Sequence, residues 1–281
     1  MANCVKCGRL LPGLTFGKKI CQWCVQHEAA QRGEDSPIQR VETAPWKQQG
    51  QSSSMVVTQA ILGINVAVFA AMLLAGVSPM DPTGQQLVDW GANFGPYTIG
   101  GQWWRLLTCV FVHIGIPHIA LNMWCLWGLG RLAESVYDRW TFGAIYLITG
   151  LGASIASLIW NPIGVSAGAS GAIFGIAGAL ISAFYFGEFA LPKTVVSGLL
   201  TSVLKFAGYN LVLGAFLGHT DNAAHFGGLL WGLILGALIA RVAPQREQAG
   251  RRVGILLFGV LLVFIGAVWL RHFHHFVGGP H

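Results

Sequence analysis

Residues 222–240 read NAAHFGGLLWGLILGALIA, an apolar run that has polar residues only near its beginning. At about 1.5 Å per residue, a helix of this length spans most of a hydrocarbon core about 30 Å thick. Gly228, Gly232 and Gly236 recur every fourth residue, which gives one helix face room for close contact with a second helix. The run therefore predicts a membrane-spanning helix that packs tightly and begins with polar groups.

The composition of the whole chain supports the same interpretation. Of its 281 residues, 54% are hydrophobic and only 10% are charged, whereas about a quarter are charged in an average soluble domain. This balance excludes a soluble globular enzyme. Long apolar runs recur from Met55 onward and predict an all-α polytopic membrane protein with seven transmembrane helices. The predicted spans are residues 56–77, 117–136, 140–160, 170–189, 195–213, 222–240 and 253–270, and Lys205 in the fifth has no explanation.

The amino-terminal segment carries a different pattern, two CxxC pairs formed by Cys4, Cys7, Cys21 and Cys24. Two such pairs can supply the four thiolates of a structural zinc site, so residues 1–27 are predicted to form a zinc ribbon that needs its metal to fold. The alternatives are a pair of disulfides, which a reducing cytoplasm opposes, and a redox CxxC. Residues 28–54 are polar and lack apolar periodicity, which predicts a flexible linker.

The charges predict the orientation of the chain in the membrane. The net charge is +6, and most Lys and Arg residues lie in segments that share one side when the amino terminus is inside. We therefore expect a multi-pass protein of the cell membrane with a cytoplasmic amino terminus. Its carboxyl-terminal tail, residues 271–281, is expected outside. No apolar core follows a basic start in the first 54 residues, so no secretory signal peptide is expected. The basic charge is thus assigned to topology, and no nucleic-acid partner is expected.

Polar residues lie near the beginnings of the second, fourth and sixth spans. His118 and Asn122 are four residues apart, so a helix places both side chains on one face. Ser170 lies in the sequence GASG (168–171) at the start of the fourth span, and His225 lies near the start of the sixth. These three spans run inward in the predicted orientation, so the four side chains share one depth below the outer surface. Polar groups at such a depth are costly and are functional candidates.

The fourth span also has a face of small residues, Gly171, Gly175 and Ala179, that matches the glycines of the sixth. Matched small faces allow membrane helices to pack backbone to backbone. The two spans are therefore expected to bring Ser170 and His225 within hydrogen-bond distance, which is the geometry of an activated serine nucleophile.

Four motifs together resemble those of the rhomboid family of intramembrane serine proteases. They are WR (104–105), HIALN (118–122), GASG (168–171) and AHFGGLLWG (224–232), and the resemblance covers residues 55–270. It implies a six-helix core with a seventh helix at the carboxyl end. Threonine stands at position 220, where the family pattern often has glycine.

The resemblance also implies roles for individual residues. Ser170 would be the nucleophile and His225 the general base, and the side chains of His118 and Asn122 would form an oxyanion hole with the Ser170 N–H group. The implied substrates are transmembrane segments of other proteins in the lipid bilayer, with no cofactor for catalysis.

Several alternatives stay open at the level of sequence. A catalytically inactive rhomboid-like protein would bind transmembrane clients without cleaving them, and a transporter would place its site near the midplane. Asp221 could orient His225 or face outer water. His113, Trp104 and Arg105 are expected to shape the first loop, and Arg105 could also anchor that loop at lipid headgroups. The zinc ribbon could dock a cytosolic partner or cap the terminus.

Overall fold

A computed structural model of the chain describes residues 3–8, 20–21, 24, 27–28, 31–32, 55–189, 191–216, 220–243 and 248–277. The chain divides into two compact units, Met1–Ser53 and Ser54–His281. Apart from residues 28, 31 and 32, the predicted linker lies outside the described residues. Within the described part of the second unit, helices dominate and the one extended pairing is a bridge between Asn93 and Ser166. The predicted all-α class is thus confirmed.

The helices of the second unit follow the predicted spans, with four short helical segments in the first loop. In chain order they are α1 (Val56–Leu74), α2 (Gly84–Asp89), α3 (Gly95–Thr98), α4 (Arg105–Thr108), a 3₁₀ turn (Cys109–Phe111), α5 (Gly115–Val136), α6 (Arg139–Trp160), α7 (Ser170–Phe186), α8 (Lys193–Phe216), α9 (Asn222–Val242) and α10 (Ala249–Val277).

A helix lies at each predicted span, but the count of seven membrane crossings is not confirmed. Among the described residues, α1, α6, α8, α9 and α10 are each long and apolar enough to cross a membrane. Helix α5 meets that criterion only together with Arg105–Phe111, from which it bends by 91°. Helix α7 has 17 residues, three fewer than predicted, and is about 26 Å long at 1.5 Å per residue. The seventh predicted span extends past residue 270, because α10 continues to Val277.

Helix α7 lies at the centre of the membrane unit. It packs against α5, α6, α8 and α9, and its most extensive contacts are with α9. Most of its residues are buried, including Phe174, Ile176 and Leu180. A helix that is apolar on every side is expected at such a position because it presents no polar face to keep in water. Its first residue, Ser170, therefore begins inside the bundle.

Helix α1 is joined to α5 at its first turn. Its own N-cap residue makes no side-chain hydrogen bond to the helix. Glu134, buried on α5, instead accepts hydrogen bonds from the N–H groups of Val57 and Thr58, both at 3.0 Å, and from the Thr58 hydroxyl at 2.5 Å. These bonds satisfy two of the N–H groups that a helix start leaves without internal partners.

Arg105 holds the first loop together, as predicted for a residue that shapes this loop, and it is too buried for the alternative role at lipid headgroups. The residue is only 6% exposed. Its Nη1 donates to the carbonyl groups of Val88 at 2.5 Å and Ala92 at 3.1 Å, and its Nε donates to Gln102 at 2.7 Å. The guanidinium also lies 4.5 Å from the ring centre of Trp104. A buried cation with these partners stabilises the loop fold and has little contact with the bilayer surface.

Helix α10 is attached to the bundle by an arginine near its beginning. Arg252 is buried, and it donates from Nε to the carbonyl of Ala243 at 2.9 Å and from Nη1 to Asp138 at 3.0 Å. Asp138 is also the N-cap of α6. Burial raises the pKa of this carboxyl, but hydrogen bonds from Thr141 and Arg252 outweigh it, so the pKa lies below its ordinary value. The beginnings of α6 and α10 and the end of α9 thus meet at one ion pair.

Candidate active site

The crossing of α7 and α9 is a contact between backbones. A Cβ atom added at Gly228 would lie 2.0 Å from the carbonyl oxygen of Gly171, and one at Gly232 would lie 2.0 Å from that of Gly175. Two turns below Gly228, at Gly236, the equivalent distance to the Ala179 oxygen is 2.6 Å. The helices approach so closely because hydrogen atoms stand where side chains would be. The predicted packing of the two small faces is confirmed.

This crossing brings the first turns of α7 and α9 together at Ser170 and His225. The Nε2 atom of His225 lies 2.8 Å from the Oγ atom of Ser170. The imidazole stacks on Phe174, one turn below Ser170, with ring centres 4.4 Å apart and an angle of 17° between the planes. His225 is 7% exposed, and its buried Nδ1 atom has no hydrogen-bond partner among the residues that the structure describes. The Ser170 hydroxyl can donate to Nε2 when the imidazole proton is on Nδ1.

His118 faces the same site from the first turn of α5. Its Nδ1 accepts a hydrogen bond from the N–H group of Ile114 at 3.1 Å, so the hydrogen of the neutral ring is on Nε2. Gly168 lies against the ring with φ +129°, and a Cβ atom there would come within 2.6 Å of His118 Cε1. One turn later, the buried Asn122 donates from Nδ2 to the His118 carbonyl at 2.9 Å.

His113 supports the segment before Ser170, a contact that the sequence did not indicate. It is fully buried, and Nδ1 lies 3.2 Å from the Phe111 carbonyl, to which it donates. Its Nε2 is then the acceptor for the Ala169 N–H group at 3.5 Å. The Gly168 N–H group donates to the Cys109 carbonyl at 2.9 Å. The GASG turn is therefore fixed by the end of the first loop. Phe174 was also missed, although its spacing of one turn from Ser170 could have suggested contact.

The four predicted site residues line one cavity of about 610 Å³. Its walls are mostly apolar and come from α5, α6, α7, α8 and α9, with residues 165–168 of the connecting loop. Ser170 is the first residue of α7, so its N–H group has no acceptor within its own helix and lies beside this cavity. The cavity thus combines a serine next to an imidazole with N–H groups that can stabilise a negative charge.

A comparison with protein families identifies the fold. The model of the rhomboid domain matches residues 100–242, which contain Ser170, His225, His118 and Asn122. The chain belongs to the rhomboid family. Together with its apolar helices, this makes the chain a multi-pass membrane protein.

Curated relatives of this rhomboid include two named as proteases. It is 33% identical over 225 residues to rhomboid protease GluP of Bacillus subtilis (strain 168), covering 80% of this chain and 42% of that protein. It is 26% identical over 234 residues to rhomboid protease AarA of Providencia stuartii, covering 75% of this chain and 82% of that protein. The rhomboid thus spans less than half the length of the Bacillus relative.

The amino-terminal unit of this rhomboid contains a second candidate site. The sulfur atoms of Cys4, Cys7, Cys21 and Cys24 all lie within 4.8 Å of one another. Cys4 and Cys24 are separated by 3.9 Å and Cys7 and Cys21 by 3.5 Å, too far for disulfides, whose sulfurs are about 2.05 Å apart. A tetrahedral site with Zn–S bonds of about 2.3 Å separates its sulfurs by about 3.8 Å. The four cysteines therefore fit a zinc ion.

The thiols of this cluster differ in their surroundings. The Cys21 N–H group donates to Cys4 Sγ at 3.1 Å, and this bond lowers the pKa of Cys4 to about 6. Burial raises the pKa of Cys24 to about 12, although a bound zinc ion removes the proton of a coordinating thiol outright.

Proposed function

We propose that this chain is an intramembrane serine endopeptidase with Ser170 as nucleophile and His225 as general base. The observation that carries the proposal is the 2.8 Å separation between Ser170 Oγ and His225 Nε2. The protease names of two relatives in the same family support it. A serine hydroxyl is a weak nucleophile until a neighbouring base accepts its proton.

The reaction is an acyl transfer in two halves. His225 Nε2 takes the hydroxyl proton as Ser170 Oγ bonds to a substrate carbonyl carbon, and the imidazolium then returns that proton to the leaving amine. Water enters next, gives a proton to His225 and bonds to the acyl carbon. The imidazolium then returns this proton to Ser170 Oγ as the ester bond breaks, which releases the acid product and restores the free enzyme. No cofactor is needed because one imidazole handles every proton.

The oxyanion formed in each half needs hydrogen-bond donors. The Nε2–H group of His118, the side-chain amide of Asn122 and the Ser170 N–H group are the donors assigned to it. His118 is suited to this role because its Nδ1 already accepts from Ile114, which fixes the hydrogen on the nitrogen that is left free.

The proposed substrates are transmembrane segments of other proteins. A regular helix shields its carbonyl groups by hydrogen bonds, so a segment must unwind locally before Ser170 can attack. Segments with small or helix-breaking residues near the outer membrane face should therefore be preferred. The proposed cleavage near the outer face assumes a cytoplasmic amino terminus and an external carboxyl terminus. This is the orientation that the distribution of positive charges favours.

The test is labelling of the detergent-purified full chain with a fluorophosphonate, which reacts with activated serines, followed by mapping of the modified peptide. We expect one modified residue, Ser170. Absence of labelling, under conditions in which an active relative reacts, would favour an inactive binder of transmembrane clients.

Removal of the oxyanion donors should slow the reaction without preventing folding. His118→Ala and Asn122→Ala are each expected to lower kcat about 10²- to 10³-fold, the usual loss for one such donor. Cleavage of a reporter transmembrane segment, followed over time in proteoliposomes, measures the change. Ser135→Ala, which alters an exposed residue near the other end of α5, is the control and should retain the original rate. If His118→Ala and Asn122→Ala cleave the reporter as fast as the original chain, neither residue belongs to the oxyanion site.

We also propose that the amino-terminal cysteines hold one structural zinc ion. Four thiolates close the coordination shell, so the ion would stabilise the fold and leave no position for a substrate. The ribbon is then a small cytosolic module, available to a cytosolic partner, that depends on its metal.

Metal analysis of the purified chain should find one zinc ion per molecule. Cys7→Ser and Cys21→Ser should each lower the zinc content well below one, because three thiolates bind more weakly than four. Cys125→Ser, which alters a cysteine of the membrane unit, is the matched control and should leave the content unchanged. A full zinc content in both ribbon variants would contradict this ligand set.

A further inference from the structure

The His225 ring is not held in place by a hydrogen bond at Nδ1, the nitrogen that faces away from Ser170, among the described residues, although that atom is buried. In a Ser-His-Asp triad, a carboxylate at this nitrogen holds the imidazole in place. Here the ring stacks on Phe174, and the remaining constraint must come from the backbone of α9.

That backbone is fixed at its first turn by a carboxylate. Asp221 is the N-cap of α9, and its Oδ1 atom accepts from the Ala224 N–H group at 2.9 Å. Its Oδ2 atom accepts from the hydroxyl of Ser157 on α6 at 2.5 Å. The carbonyl group of Asp221 accepts from the His225 N–H group at 3.1 Å. One residue thus bonds to α6, to the helix start and to the backbone of His225.

The partner on α6 is well placed for this purpose. Ser157 is only 5% exposed, and α6 is the helix against which α9 packs most closely after α7. Its hydroxyl points at a carboxylate oxygen in partly buried surroundings, where a charge-assisted hydrogen bond is stronger than a neutral one. Loss of either partner would free the first turn of α9 to shift relative to Ser170.

We propose that Asp221 and Ser157 form a latch that positions His225 for its reaction with Ser170. Both act through His225, so they are positioning residues, and the inference rests on the proposed function. The carboxylate of Asp221 lies one turn before His225. In a triad the carboxylate bonds directly to the imidazole ring, whereas here it fixes the helix that carries the ring. Asp221 therefore neither bonds to the imidazole nor serves only as a solvent-facing group.

Asp221→Asn removes the charge of the latch but can keep its hydrogen bonds, so it tests the two contributions separately. In Asp221→Asn the side-chain oxygen can still accept from Ala224, since asparagine is as good an N-cap as aspartate. Its amide group can donate to the Ser157 oxygen, which also accepts. If position is what matters, this variant should keep most of the activity that Asp221→Ala loses.

The test compares the kinetics of fluorophosphonate labelling at Ser170 in the full chain. We expect Asp221→Ala and Ser157→Ala to lower the maximal labelling rate about tenfold or more, within the range in which displacements of about 1 Å cost up to 10²-fold. The final extent of labelling and the half-saturating probe concentration should stay unchanged. Asp221→Asn should remain within about threefold of the original chain, as expected when its bonds are retained.

Ser182→Ala is the matched control. Ser182 is equally buried and also bonds a neighbouring helix to α9, through the Leu233 carbonyl at 2.7 Å, but two turns below His225. It should leave the maximal rate unchanged. A reduced extent of labelling at an unchanged rate in Asp221→Ala and Ser157→Ala would mean that the pair only stabilises the fold, and would overturn the proposal.

The other outcomes are equally informative. An Asp221→Asn chain as slow as Asp221→Ala would show that the charge acts and not the latch, which would also overturn the proposal. If the original chain fails to label at all, the proposed function fails. If it labels and every variant labels at the same rate, only the latch is wrong.

Discussion

Ser170→Ala and His225→Ala are each expected to lower the rate of proteolysis by about 10⁴- to 10⁶-fold, as loss of a catalytic serine or histidine does in other serine proteases. Without Ser170 no acyl-enzyme can form, and without His225 the Ser170 hydroxyl loses the acceptor that lies 2.8 Å from its Oγ atom. Cleavage of a reporter transmembrane segment measures both losses, and fluorophosphonate labelling should disappear with them.

Two exposed residues supply the controls for these variants. Ser197→Ala removes a hydroxyl that bonds only within α8, and His272→Ala removes an imidazole that bonds only within α10 among the described residues. Both should retain the original rate. Labelling that persists in Ser170→Ala would show that another residue is the reactive one, and unchanged cleavage in His225→Ala would rule it out as the base.

A valine at Gly228 is expected to destabilise the membrane unit by about 3 kcal/mol or more, at the upper end for an overpacked core. Its Cβ would lie 2.0 Å from the Gly171 carbonyl oxygen, which belongs to the backbone and cannot rotate away. Helix α9 must move away from α7, and Ser170 and His225 must separate. Thermal unfolding in detergent and fluorophosphonate labelling should therefore both report a loss.

Gly208→Val provides the comparison for this substitution. Gly208 lies within α8, and a Cβ atom added there meets nothing within 4 Å. It tests the effect of a β-branched residue on a membrane helix without a close neighbour. A Gly228→Val chain as stable and reactive as Gly208→Val would contradict the backbone contact between α7 and α9.

The core of the site could be predicted from the sequence because small residues at regular spacing mark where two helices can pack closely. Gly171 and Gly175 on one helix match Gly228 and Gly232 on the other, so their crossing and the approach of Ser170 to His225 follow from spacing alone. The periodic apolar runs likewise predicted a helix at each span. Both are local patterns in the sequence, and a membrane-spanning helix requires a long apolar run of this kind.

The remaining features depend on contacts between residues far apart in the chain. A role for Arg105 in shaping the first loop could be predicted from the sequence, but its carbonyl partners could not, because they come from the fold of the loop. The bond between Ser157 and Asp221 joins two spans by individual side chains that no periodicity marks. Sequence spacing cannot reveal such pairs.

The carboxylate of Glu134 has a consequence for how the chain is built during synthesis. Val57 and Thr58 leave the ribosome before their acceptor, which lies 77 and 76 residues further along. Until α5 arrives, these N–H groups at the amino end of α1 need water as their hydrogen-bond partner. Insertion of α5 then supplies the Glu134 carboxylate as their acceptor. The hydrogen bonds that complete the start of α1 thus form only after α5 has been synthesised, so the order of translation becomes an order of assembly.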